Sequence, residues 1–177
     1  MSIATSLAHV ERIFGHTFIN KLVGIEAIHA DNQEIYYDGK WLKLRRNDDL
    51  AISGDKTIDL IVSILWYRSR TNQNRPLVKG DMSAIQRDLV SGEKLAARGY
   101  ALGLDAYVIK NPGHVGRISE RMMATAVEAL IGAVLVDSGH DLEAVRAVME
   151  RLRFFEHPLL LTTDCSALAA QAPADAA

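Results

Sequence analysis

A single cysteine, Cys165, stands in 177 residues. One thiol makes no internal disulfide, so a disulfide-stapled secreted scaffold is excluded and a reducing compartment fits. No run reaches the roughly 18 apolar residues of a membrane span. The N-terminal stretch 1–14 lacks both the basic and the long apolar parts of a signal peptide, and Glu11 beside Arg12 makes it a poor mitochondrial presequence. Cytoplasmic location is the default expectation, with organelle import left open. Basic charge is not in excess either: 20 Lys and Arg face 22 Asp and Glu, a net charge of -2. Nucleic-acid-binding domains usually carry a basic face, so RNA contact here has to rest on local clusters. Internal repeats are absent. From residue 162 onward the chain is Ala-rich, with Pro173 and two aspartates and no apolar periodicity. The expectation is one domain over residues 1–158 and a disordered tail over 159–177.

What is present is apolar material in helical spacing. Hydrophobic residues make up 49% of the chain, enough for a proper core in one domain. Leu7, Val10, Ile13 and Phe14 predict a helix over residues 6–14, and Leu22, Val23, Ile25 and Ile28 a second over 20–30. The alternation around Asp38-Gly39 predicts a small hairpin between residues 31 and 48. A long apolar helix follows over 50–69, then a polar loop to Gly80. Asp81 is a plausible N-cap for a helix over 82–91. A short helix over 93–99 is expected to close at Gly99. Ser119 can cap a long helix over 119–136, and a last helix covers 141–152. The fold class expected is all-α, with about seven helices and one hairpin.

Five blocks carry a more specific signal. Val10-Glu11-Arg12-Ile13-Phe14-Gly15-His16-Thr17-Phe18 leads to Ile25-Glu26-Ala27-Ile28-His29. Asp48-Asp49-Leu50-Ala51-Ile52-Ser53-Gly54-Asp55 follows, then Gly80-Asp81-Met82-Ser83 leading into Glu93-Lys94-Leu95-Ala96. Leu102-Gly103-Leu104 precedes a turn at Gly113. Last, Ser119-Glu120-Arg121 leads into Glu128-Ala129-Leu130-Ile131-Gly132. In this order and spacing, over residues 8–152, the chain resembles the ribonuclease III catalytic domain. The second block sits where that family has its signature, E-x-L-E-F-L-G-D. Nothing matches the double-stranded-RNA-binding domain that often follows the nuclease domain.

The resemblance implies magnesium- or manganese-dependent hydrolysis of duplex RNA. Such ions take hard oxygen ligands, and a pair of them can hold the attacking water and the leaving oxygen. In the family pattern one helix offers an acid and a second acid four residues on, and another helix offers two acids three residues apart, spacings that share a helix face. Those catalytic and metal positions fall here on Ala51 and Asp55, and on Thr125 and Glu128. Two acids are retained and two are lost. Alanine has no ligand atom, threonine offers one neutral oxygen, and charge count largely sets the affinity of such sites. Asp48 keeps the acidic character of the signature's first residue. Asp59, four residues past Asp55, is the acid best placed to compensate as a metal ligand, or else it lines a solvated helix face. Glu120, five residues before Thr125, faces elsewhere on an ideal helix, and Asp49 points away from Ala51. Lys56 stands where the family usually has a small residue. It either pairs with Asp55 and takes the room of a cation, or lies along the surface with its head in water.

Family members work as homodimers in which an aromatic of the signature inserts into a socket on the partner. That position is Ile52, apolar still, with ordinary core packing as the alternative and a heterodimer with an intact partner left open. Candidate RNA contacts are Lys43, Arg45 and Arg46, with Trp41 nearby, and Arg117; duplex RNA is held through phosphates and 2′-hydroxyls. The stretch Gly113-His114-Val115-Gly116-Arg117 is shorter than the family's basic loop. Three functions stay open: a degenerate ribonuclease III homologue that binds double-stranded RNA or serves as a structural or RNA-processing component; an active metal-dependent endonuclease with a remodelled site; and a helical interaction module unrelated to RNA.

Overall fold

The computed structural model describes residues 2–160. Its elements run α1 (Ile3–Phe14), α2 (Lys21–Ile28), β1 (Ile35–Tyr37), β2 (Lys40–Leu42), α3 (Asp48–Arg68), α4 (Lys79–Leu89), α5 (Gly92–Ala101), a short 3-10 turn (Leu104–Ala106), α6 (Glu120–Asp137) and α7 (Leu142–Arg151). Apart from the hairpin this is the expected helical fold.

Helix α6 is the axle. Met123, Ala126, Val127, Ala129, Leu130, Ile131, Ala133 and Val134 are all fully buried, which is what a helix apolar around most of its circumference demands. Its N-terminus is fixed by the Ser119 hydroxyl, which accepts from the Met122 amide. Helices α2, α3, α5 and α7 pack around it, and α3 makes the most extensive contact. Two glycines permit that approach. A Cβ at Gly54 would lie 1.8 Å from the Glu128 carbonyl oxygen, and one at Gly132 would lie 2.1 Å from that of Leu50. The two backbones therefore touch at one crossing point, and everything on α3 and α6 near it takes its position from there.

The N-terminal segment is tied to the far end of α6. The Asp137 carboxylate accepts from the Ile19 and Asn20 amides and from His16 Nε2. The segment after α7 is held by Arg98, whose Nη1 donates to the Leu152 and Arg153 carbonyls while its guanidinium covers the Phe154 ring at 4.2 Å.

The hairpin forms as expected, antiparallel, with Ile35 opposite Leu42 and Tyr36 opposite Trp41. Asp38 and Gly39 both take positive φ (52° and 77°), the requirement of a two-residue turn that matches strand twist. Two expectations change. Asp81 does not cap α4: the helix begins at Lys79 with Val78 at the cap, and the Asp81 carboxylate reaches back to accept from the Val78 amide, the reciprocal arm of a capping box. Gly99 does not end α5 but lies inside it, where a Cβ would meet Met123 Sδ at 2.3 Å. The glycine with positive φ is Gly103. Leu160, within the expected tail, is buried and its amide donates to the His157 carbonyl. The tail expected beyond it, residues 161–177 with Cys165, lies outside the described residues. Among the described residues no helix is long and apolar enough to cross a membrane.

Candidate functional site

The crossing of α3 and α6 sets Asp55 beside Glu128, and Thr125 lines a cleft with Glu128. Because the α3 backbone at Gly54 lies against the Glu128 carbonyl, the residue after Gly54 is carried beside Glu128. Asp55 and Glu128 are both half-buried, and the Glu128 carboxyl feels the charge of Asp55. Ala51 is buried at the same interface, a methyl where an acid would project. Thr125 sits one turn before Glu128 on α6, half-buried.

The electrostatics follow from this packing. Burial in the helix interface, and then the negative charge of Asp55, push the Glu128 carboxyl from its ordinary 4.5 up to about 7, with Lys56 pulling the other way. Lys56 Nζ lies 2.7 Å from Asp55 Oδ2. That hydrogen bond, then the charge of Asp55, and further off those of Asp59 and Glu128, raise the lysine above its usual range. The pairing alternative for Lys56 is thus the one formed. Asp59 accepts a hydrogen bond from Gln86 Nε2 on α4, at 3.3 Å. Among the described residues no group of three or more His, Cys, Asp or Glu side chains is disposed to hold a metal ion.

Thr125 divides two clefts. One, of 380 Å³, runs toward α5 and is lined by Glu93, Glu120, Arg121 and Glu128. Glu120, expected to face elsewhere, therefore lies on the rim of the same cleft as Glu128. The other, of 140 Å³, opens toward the start of α3 and is lined by Arg46, Asn47, Asp48 and Arg121 as well as Thr125. Arg121 borders both. Sequence reasoning missed it and Glu93, although a cation one turn before a lost acid is a readable signal.

Ile52 is not core: it is 65% exposed. The RNA candidates divide sharply. Arg45 pairs with Asp49 at 2.9 Å and Arg46 with Asp48 at 3.1 Å. Arg117 covers the Tyr100 ring at 3.5 Å and lies 3.5 Å from Asp105. Lys43 is exposed and has neither hydrogen bond nor ion pair among the described residues.

Comparison with known proteins places this arrangement. Residues 48–139, just over half the chain, match the family model described as Ribonuclease III domain. The chain is similar to Ribonuclease 3 of Vibrio vulnificus strain YJ016, 35% identical over 108 residues, covering 59% of this chain and 45% of that protein. It is also similar to Ribonuclease 3 of Rickettsia prowazekii, 27% identical over 150 residues, covering 83% of this chain and 63% of that protein. The chain thus spans about half the length of the curated relatives it matches. Among solved structures it resembles the nuclease domain of ribonuclease III from Campylobacter jejuni, in a study of flexibility in a region involved in dimer formation. The TM-score is 0.65 at 21% identity, with 81% of this chain and 93% of that one covered, a likeness of fold.

Proposed function

Since this chain belongs to the ribonuclease III domain family, we propose that it is a degenerate member, binding double-stranded RNA as a structural or RNA-processing component with weak or no cleavage. The observation that carries the reading is the donor set at the α3–α6 crossing. A pair of divalent ions needs clustered carboxylates to offset their mutual repulsion. Here Ala51 contributes no ligand atom and Thr125 only a neutral hydroxyl. Asp55 is engaged by Lys56. Asp59, the acid expected to compensate, is engaged with Gln86. The residues present do not fit two metal ions.

On this reading residues 1–158 are the ribonuclease III-like unit, and the unit works as a homodimer. The support is an apolar stripe on α3: Ile52, Leu60 and Tyr67 are 65%, 45% and 75% exposed and fall on one side of the helix by their spacing. Burying an isoleucine fully contributes roughly 1.5–3 kcal/mol.

The test is incubation of the purified protein with duplex RNA in magnesium and in manganese. The expected result is intact RNA. Cleavage that disappears in Asp55→Asn or Glu128→Gln overturns the reading. In a second arm, Ala51→Glu with Thr125→Asp raises metal affinity by calorimetry, most strongly when Lys56→Ser frees Asp55. Unchanged metal binding would show that these four positions do not converge as a ligand set.

A further inference from the structure

The smaller cleft beside Thr125 bears charge of a kind that a metal site does not. It holds two guanidinium groups, those of Arg46 from the segment leading into α3 and Arg121 from the first turn of α6, against one carboxylate, Asp48. Asp48 already pairs with Arg46 at 3.1 Å. Arg121 is exposed and has no hydrogen bond or ion pair among the described residues. The Thr125 hydroxyl, which also borders the cleft, has no hydrogen-bond partner among them either. Asn47 in the wall is buried and spends its amide on the Ala27 carbonyl, fixing the floor. A free planar cation and a free hydroxyl, in a 140 Å³ recess at the very position where the family pattern would put an acid, form a receptor for an anion.

We propose that this cleft binds a phosphate group directly, with Arg121 and the Thr125 hydroxyl as donors and Arg46 in support, so that this chain contacts an RNA phosphate without an intervening metal. The inference rests on the duplex-RNA reading above and deepens it. A family that positions phosphate through cations bound to carboxylates has here exchanged the carboxylate for a hydroxyl and supplied the cation as a side chain. A guanidinium offers a phosphate two parallel N–H donors and keeps its charge at any working pH. Lys56, already within the field of Asp55, Asp59 and Glu128, fills the corresponding role on the α3 side by neutralising the acids that would otherwise repel the RNA backbone.

The experiment measures binding of a labelled RNA duplex by fluorescence anisotropy, across a salt series, in EDTA and in magnesium. The affinity is expected to be the same in both. Arg121→Ala is expected to weaken binding about 8-fold at 0.1 M salt and to reduce the slope of log K against log salt by about 0.9, the signature of one lost phosphate contact. Arg121→Lys restores most of the slope, and a thermal melt confirms that the variants stay folded. An unchanged slope in Arg121→Ala, or a requirement for magnesium, overturns the direct contact while leaving duplex binding itself intact. If the wild-type protein binds no duplex, the reading of the whole protein fails, and the cleft is decided separately. Inorganic phosphate titrated into the labelled protein should then shift the Thr125 amide and the Arg121 side-chain resonance in NMR spectra, and Arg121→Ala should abolish the shift. A flat titration ends the proposal.

Discussion

Glutamine at position 128 separates charge from shape at the site. Glu128 is half-buried, and the folded protein holds its proton up to about pH 7 where the unfolded chain releases it near 4.5. The native state thus binds more protons than the unfolded one between those values, and stability falls as pH rises through that window. Below pH 4.5 the carboxyl is neutral in both states and contributes nothing; above pH 7 the full penalty of a buried charge is present. At 1.36 kcal/mol per pH unit the window corresponds to about 3 kcal/mol, and solvent screening of a half-exposed group reduces that to on the order of 1–2 kcal/mol. Glu128→Gln keeps the shape and never ionises. Melts from pH 4 to 8.5 in EDTA should find the variant about level with wild type at pH 4. At pH 8 it should be more stable by about 1–2 kcal/mol, or roughly 2–4 °C for each kcal/mol in a domain of this size. An offset that does not change with pH refutes the burial argument. A variant less stable than wild type at pH 8 refutes it more deeply, since the carboxylate would then be stabilised by Lys56 rather than penalised by the interface.

The helix crossing and the α3 stripe offer two further checks. Gly54→Ala drives a methyl to 1.8 Å from the Glu128 carbonyl oxygen and should cost about 3 kcal/mol or more, whereas Gly80→Ala, with nothing within 4 Å, should be neutral or slightly stabilising in denaturant titrations; equal effects would mean the helices do not meet there. Ile52→Asp, on a side chain 65% exposed in the single chain, should leave the melting temperature of the folded chain nearly intact but shift sedimentation from dimer to monomer. A dimer that survives places the interface elsewhere.

Much of the fold was legible because helices declare themselves locally. Ser119 caps where the sequence suggests, and Asp38-Gly39 makes its turn. The misreadings share a cause. Asp81 and Gly99 belong to residue types that mark helix ends, but an aspartate serves a helix start equally well three residues inside it, and a glycine serves a crossing equally well in mid-helix. Which role is taken depends on Val78 and Met123, neighbours that local pattern does not supply. Glu120 faces away from Thr125 on an ideal helix yet reaches the rim of the cleft that Glu128 lines, because the helical angle does not say where the rim of a cleft runs.

Residue type alone determined the charge count at positions 51, 55, 125 and 128, since a ligand atom is either in the side chain or not. Tertiary structure decided how those charges behave. It set how far Glu128 is desolvated, that Asp55 is taken by Lys56, and that Arg45, Arg46 and Arg117 are paired while Lys43 and Arg121 have no partner among the described residues. Desolvation and ion pairing fall off over a few ångström, and those distances are set where α3 and α6 touch at Gly54 and Gly132.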